Sequence, residues 1–373
     1  MQIGKKKFIA CLIVAFLSGG AVMGGVSAMA GGNDKEDKYD KLDELYKYID
    51  SSYYEEADME DLMEGAYKGF VSGLGDPYSS YMTADEFENW MSNLQGEYSG
   101  IGVTFTQDRE GNYVVVSVTK GSPAEAAGLK AGDILLQADG KTYDDMDLFA
   151  DAIRGEEGTK VKVTYSRDNV ETTVEITRKN IVQHSVEHEM IDEKTAYINI
   201  TSFIDNTSED FTKALEDVEK QGAEKLILDL RDNGGGLLNA CIAVADEFLD
   251  KGPVVYVEDK NKKRDSYDAK DGKTQLETVV LVNENSASAA EILAAALQDN
   301  GFTVIGKTTF GKGVIQSTIK LDDGSALKLT IMQYFSPEGK AINKKGVTPD
   351  VIIENQEGTE NDAQLDKAKE LLK

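Results

Sequence analysis

The chain has 373 residues, 40% apolar and 29% charged, which is room for two or three ordinary folded domains. Its 67 acidic residues outnumber 40 basic ones, and the resulting formal charge of −27 argues against nucleic acid or anionic lipid as a partner. With two cysteines and two histidines, a disulfide framework and a cysteine metal cluster are excluded, and the usual histidine base of a hydrolase is in short supply.

In chain order, Lys5, Lys6 and Lys7 precede an apolar run from Phe8 to Phe16, which resumes at Ala21 and closes on Ala28-Met29-Ala30. A basic start, an apolar stretch and an Ala-x-Ala ending read as an export signal. Residues 8–30 are also long enough to span a bilayer, so a cleaved signal and an uncleaved membrane anchor both stand. The leading lysines place that end in the cytoplasm and the rest of the chain outside it. Residues 31–37 are a polar linker.

Residues 38–96 read as helical. Leu42, Leu45, Tyr46 and Ile49 keep helical spacing, as do Leu62, Ala66, Phe70 and Leu74. Gly75-Asp76-Pro77 breaks the second helix. Thr83-Ala84-Asp85-Glu86 is a capping box that opens another helix at Phe87, which carries the sole tryptophan, Trp90. This segment is expected to be scaffold without chemistry.

Residues 97–180 fit one compact β-rich module. Ile101, Val103 and Phe105 alternate, as do Val114, Val116 and Val118. Ser122-Pro123 begins a short helix, Gly128 to Asp133 turns into a strand, and Asp139-Gly140 is a hairpin turn. Residues 146–153 form an amphipathic helix, and strands at 161–165 and 172–176 close the module. From 181 to 354 strands and helices alternate in a mixed α/β layer. Strands are predicted at 195–200, 225–230, 278–282, 304–305, 314–320 and 326–334, and helices at 236–249 and 291–299. An acidic tail, 355–373, ends in a short helix over 365–372.

Three patterns match known sites by letter only. His184-Ser185-Val186-Glu187-His188 has the spacing of an inverted zinc peptidase motif, which needs a helix; its flanks alternate like a strand. Gly306 to Lys312 resembles a phosphate loop, but Gly313 stands where Ser or Thr should hold magnesium, and a strand follows where a helix is required. Asn233-Gly234-Gly235-Gly236 suits either an anion-binding turn or an oxyanion site.

The chemistry gathers elsewhere. The buried strand 279–282 runs into Ser286-Ala287-Ser288 and then an alanine-rich helix. A serine at such a turn is exposed at a helix N-terminus, whose N–H groups suit a tetrahedral oxyanion; helix capping by Ser286 or Ser288 is the plainer alternative. A serine nucleophile needs a base, and Lys312, in the cradle Gly311-Lys312-Gly313, is the candidate. A lysine serves as base only where burial lowers its pKa, which calls for a dry pocket clear of carboxylates.

Here the chain resembles the carboxyl-terminal processing peptidases, or tail-specific proteases, over nearly its whole length. The resemblance rests on Leu228 to Leu237 (LDLRDNGGGL), Ser286 to Ile292 (SASAAEI), Thr309 to Gln316 (TFGKGVIQ), Tyr334 to Gly339 (YFSPEG) and Gly346 to Asp350 (GVTPD). Gly73 to Ser79 looks like the family's helical lead-in, and Ser99-Gly100-Ile101-Gly102 through Asp133 like its PDZ domain. The resemblance implies a helical N-terminal segment, a PDZ domain and an α/β (ClpP/crotonase-like) serine protease core. It implies Ser288 as nucleophile, Lys312 as general base and Gln316 as the residue that orients the lysine. It implies an oxyanion hole from the N–H groups of Gly234, Gly235, Gly236 and Ala289. Ser99, Gly100, Ile101, Gly102 and Val103 would bind the substrate's carboxyl end by strand addition. Ile101 and Val103 serve equally well as plain core. Two departures stand out: Gly234 replaces the family's proline, and Ala290 its third serine. The resemblance implies no cofactor. It implies protein substrates with apolar C-termini and the terminal helices as candidates for a homodimer interface; the basic and apolar N-terminal run itself gives membrane contact through that segment alone. Residues 1–30 hold three lysines and no acid, so the exported part is about −30 and Lys312 needs shielding from it.

Overall fold

The computed structural model describes residues 36–108, 110–270, 274–355 and 361–373, so the signal or anchor expected over 8–30 lies outside the described residues. Among the described residues no helix is long and apolar enough to cross a membrane. Contacts divide the chain into two units. The first holds residues up to 89 with 314–332, and the second holds 90–313 with 333–373.

In the first unit, α1 (Glu36–Ser52) and α2 (Met59–Ser72) follow the predicted spacing, and Asp58 caps α2 by accepting from Glu60 N. The break at Gly75-Asp76-Pro77 also ties a knot. Asp76 accepts from Tyr78 N and Ser79 Oγ, and Ser79 Oγ accepts from Thr330 N. This fixes a short strand that the helical reading missed, β1 (Ser80–Met82), antiparallel to the start of β17 (Ala326–Phe335). β16 (Val314–Lys320) pairs with β17. The capping box is present: Thr83 N donates to Glu86 and Glu86 N to Thr83 Oγ1. It opens α3 (Ala84–Gln95) three residues earlier than Phe87.

The second unit begins with β2 (Glu97–Gly100), β3 (Val103–Gln107), β4 (Tyr113–Val118), α4 (Pro123–Ala126), β5 (Ile134–Ala138), α5 (Met146–Ile153), β6 (Lys160–Arg167), β7 (Val170–Thr177) and β8 (Lys179–Val182). Strands β3 to β7 form an antiparallel sheet in chain order, and β2 pairs with β8. Two turns need left-handed backbone. Asp139-Gly140 (φ 51° and 75°) is the predicted one, and Asp168-Asn169 (φ 52° and 61°) joins β6 to β7 with no glycine to announce it. Phe149 of α5 is fully buried against Phe105, Tyr113 and Tyr143.

The remainder is built on a six-stranded sheet in the order β18-β15-β14-β11-β10-β9. Its strands are β9 (Val186–Met190), β10 (Thr195–Ile200), β11 (Lys225–Asp229), β14 (Glu277–Val282), β15 (Thr303–Gly306) and β18 (Val351–Ile352), all parallel except β9. β11 and β14 are central, which is why both are continuous apolar runs. Helices α6 (Thr207–Lys220), α7 (Leu238–Ala245), α8 (Ala289–Asp299) and α9 (Ala363–Leu371) complete the layer, with a hairpin of β12 (Gly252–Asp259) and β13 (Arg264–Ala269). Neither α6 nor this hairpin was anticipated, although Phe211, Ala214, Leu215 and Val218 give α6 a buried face at helical spacing. The helix expected over 236–249 is shorter, because Gly236 bridges to Phe203 and Leu237 is still extended.

One buried ion pair braces the β-rich module. Asp133, 1% exposed, accepts from Arg167 Nε at 2.6 Å, Arg167 Nη2 at 2.7 Å and Lys130 N at 2.8 Å. Burial pushes its carboxyl up, but these bonds more than offset that and hold it below the usual range. Asp133→Asn is expected to cost about 2 kcal/mol at pH 7. The lowered folded pKa makes the contribution complete above the unfolded value of about 4 and lost as pH falls through the folded value. Thermal melts should therefore show the gap between wild type and variant narrowing from pH 7 to pH 3.

Candidate active site

β14 delivers the chain from the sheet centre into the turn 283–288, and α8 leaves it. α8 is buried along nearly its whole length because its alanines let it pass close to its neighbours. At the junction Ser288 has φ 56° and ψ −115°, a left-handed conformation that a serine adopts only under constraint. The strain lifts a half-buried side chain off the helix start, the elbow that a nucleophile at a strand-to-helix turn needs.

The constraint comes from the facing loop, which follows β11. Ser286 Oγ donates to Leu230 O at 2.8 Å, and Ala287 N donates to Asn233 O at 2.9 Å. Buried Asn233 donates to Ile200 O at 2.7 Å and accepts from Gly235 N at 2.8 Å. Asp232 accepts from both Asn283 and Asn285. Gly235 (φ 98°) then lies flat on the elbow: an added Cβ would sit 2.7 Å from Ala287 O and Ser288 Cβ and 2.9 Å from Ala289 N. Of the four N–H groups assigned to the oxyanion site, that of Gly235 is already committed to Asn233. Those of Gly234, Gly236 and Ala289 donate to no acceptor among the described residues.

The lysine loop is held by Glu291, which is fully buried. Its Oε1 accepts from Thr309 Oγ1 at 2.6 Å and Gly311 N at 2.7 Å; its Oε2 accepts from Ser288 N and Lys312 N, both at 2.9 Å. One carboxylate oxygen thus holds the backbone of both Ser288 and Lys312. From another side, the fully buried Tyr334 hydroxyl bridges Ser288 O at 3.1 Å and Lys312 O. The glycines flanking Lys312 are steric necessities. A Cβ on Gly313 would lie 2.1 Å from Asn343 N, and Gly311 has φ 91° against the Lys345-Gly346 backbone. Glu291 is thus a buried carboxylate at the backbone of Lys312, with four donors occupying its oxygens. Neither Glu291 nor Tyr334 was singled out from sequence, although Glu291 stands at capping-box distance from Ser288.

Gln316 lies on β16 in the first unit, where its Nε2 donates to Thr330 Oγ1 at 3.2 Å. His184 and His188 are not in helical register. His184 precedes β9 and His188 lies within it, and they pair separately with Asp210 and Asp217 of α6. Among the described residues no group of three or more metal-ligating side chains occurs. The phosphate-loop lookalike ends in β16, a strand.

In the β-rich module, β3 is an edge strand. A cavity of about 550 Å³ runs along it, lined by Gly100, Ile101, Gly102, Val103, Phe105 and Arg154 among others. Ser99 does not line it, and Ile101, at 1% exposure, also belongs to the module's core. The N–H groups of Ile101 and Gly102 donate to no acceptor among the described residues.

Comparison with known proteins finds family matches over three stretches of the chain. The family profile for peptidase family S41 matches residues 194–353, that for the PDZ domain 99–177, and that for the activating protease CtpB N-terminal domain 20–86. The carboxy-terminal processing protease CtpA of Bacillus subtilis (strain 168) is 39% identical over 353 residues, covering 93% of this chain and 75% of that protein. A probable CtpA-like serine protease of Staphylococcus aureus (strain COL) is 38% identical over 321 residues, covering 84% of this chain and 64% of that protein, so this chain spans less than two thirds of its length. Among solved structures, the photosystem II D1 C-terminal processing protease superposes with a TM-score of 0.51 at 30% identity, covering 85% of this chain and 87% of that one. A putative S41 protease from Bacteroides fragilis shares the fold, with a TM-score of 0.55 at 17% identity over 86% of this chain and 91% of that one.

The close approach of Gly235 gives a direct test. Gly235→Ala is expected to destabilise the chain by about 2 kcal/mol through backbone strain. It should reduce turnover on the order of a hundredfold by displacing the elbow. Wild-type turnover with an unchanged melting temperature would contradict the arrangement.

Proposed function

The chain belongs to peptidase family S41, the carboxy-terminal processing proteases, which are serine peptidases, and we propose that it cleaves exported proteins with a Ser288–Lys312 dyad. The observation that carries this reading is the shared carboxylate: Ser288 and Lys312 come from segments 24 residues apart, yet one oxygen of Glu291 accepts from both backbones.

In the proposed reaction, uncharged Lys312 takes the Ser288 proton as Oγ attacks the peptide carbonyl. The N–H groups of Gly236 and Ala289, with Gly234 beside them, receive the oxyanion. Lys312 then passes its proton to the departing amine, and water releases the acyl group from Ser288. The orienting role of Gln316 rests on the family resemblance alone.

Substrate would be captured by the module around β3. An extended C-terminal peptide adds to the open strand edge, and its carboxylate meets the N–H groups of Ile101 and Gly102 with Arg154 in the same wall. The apolar lining from Ile101, Val103 and Phe105 favours an apolar last residue. His184 and Glu187, which lead into the protease core, line the same cavity, so an occupied groove touches the core; this supports regulation of turnover by the bound tail. The basic and apolar pattern over residues 5–30 supports an extracytoplasmic site of action, whether the chain is released or anchored.

Ser288→Ala and Lys312→Ala should each reduce cleavage of a protein with an apolar C-terminus by at least about a thousandfold, with the fold intact by circular dichroism. Full activity in either variant sinks the dyad. Separately, amidating the C-terminus of a peptide should weaken its binding to Ser288→Ala protein at least about tenfold, since the carboxylate loses its charge-assisted bonds. Equal binding would remove the carboxylate site.

A further inference from the structure

The cluster behind the catalytic loops is built partly from the far end of the chain. Arg231, two residues after the end of β11, is nearly buried, and its guanidinium is used on every side. Nε lies 3.0 and 2.9 Å from the two oxygens of Asp229, and Nη2 lies 2.5 Å from Asp229 Oδ2. Nη1 reaches across the sequence to Asp362 at 2.9 Å and to Gln364 Oε1 at 3.1 Å. Burial opposes the charge on Arg231, but the two carboxylates more than offset it and hold the group above its ordinary range.

The tail partners are themselves fixed. Gln364 is 3% exposed; its Nε2 donates to Ile353 O at 2.8 Å and its backbone N–H donates to Asn355 Oδ1 at 3.1 Å. Asp362 caps α9 by accepting from Leu365 N at 3.0 Å. α9 is seated by Ala368 and Leu372 against Ile227, Val279, Leu281 and Ile305 of the central strands. The catalytic loop continues directly from Arg231 into Asp232 and Asn233, the residues that hold Asn283, Asn285, Gly235 and Ala287.

We propose that Asp362 and Gln364 are positioning residues for catalysis: the C-terminal segment clamps Arg231 and so sets the loop 231–236 against the Ser288 elbow. The proposal rests on the reading of Ser288 as nucleophile. The clamp suits this place because a planar fork held by carboxylates on two sides can neither slide nor rotate. Held by Asp229 alone, Arg231 keeps its charge partner but loses the contacts on Nη1, and the loop it begins can shift by fractions of an ångström.

The test uses the full chain with Asp362→Asn, Gln364→Ala and, as a control on the same helix, Lys367→Ala, whose ion pair is with Glu370 on the surface. Two readings are taken: kcat and KM on a protein substrate with an apolar C-terminus, and amide hydrogen exchange at Gly235 and Ala287. Expected for Asp362→Asn and Gln364→Ala is a kcat about fivefold lower with KM unchanged, and faster exchange at Gly235 and Ala287 while the strands β10 and β11 exchange as in wild type. Lys367→Ala should match wild type in both. Unchanged exchange at the two loop amides overturns the clamp, as does faster exchange spread over the whole core, which would mean general destabilisation. If wild type and Ser288→Ala turn over substrate equally, the nucleophile assignment has failed, and the exchange reading still decides whether the tail holds the loop.

Discussion

A single buried carboxylate organises the catalytic end of this chain. Glu291 sits in the first turn of α8 and accepts from four donors that come from the elbow before the helix and from the loop 309–312. A buried polar group must be satisfied, and one that is satisfied by two segments at once fixes their separation. The elbow cannot relax to ordinary helical geometry without abandoning Glu291, and the lysine loop cannot withdraw without leaving buried donors unpaired. Tyr334 closes the same circuit through the carbonyls of Ser288 and Lys312. The strained Ser288 backbone is therefore a consequence of bonds made around it.

The rest of the second unit serves this circuit. Central strands β11 and β14 bring two loops to the same sheet end, the position where open α/β sheets place their sites. Small residues then let those loops touch. Gly235 lies on the elbow, and Gly306 permits the chain to pass Val282, where a Cβ would fall 1.9 Å from its carbonyl oxygen. The large side chains are kept for the core, and glycine for the crossings.

Much of this was legible in the sequence because it rests on local rules. The turn at Asp139-Gly140, helix α5 and the continuous apolar strands follow from residue type and period, and the capping box at Thr83 appears as written. A serine between a buried strand and an alanine helix drew attention to Ser286 and Ser288, and a lysine between glycines to Lys312, but the choice of Ser288 came from the family resemblance. Less legible were features that depend on distant partners. The strand Ser80–Met82 exists because Asp76 and Ser79 hold Thr330, and the turn at Asp168-Asn169 forms without glycine because the pairing of β6 and β7 enforces it. Glu291 reads as an ordinary helix cap until the loop 309–312 is seen to share it. Gln364 and Asp362 look like surface residues of an acidic tail until Arg231 is found between them.

The central claim, that one carboxylate sets Ser288, the proposed nucleophile, against Lys312, the proposed base, is tested most directly by Glu291→Gln. The amide retains one acceptor oxygen and turns an NH₂ group toward two donors, so half of the shared bonds are lost without a change of shape. The measurement is the rate at which a fluorophosphonate labels Ser288, with circular dichroism confirming that the variant is folded. A fall on the order of a hundredfold is predicted. Labelling at the wild-type rate in the folded variant would contradict the account.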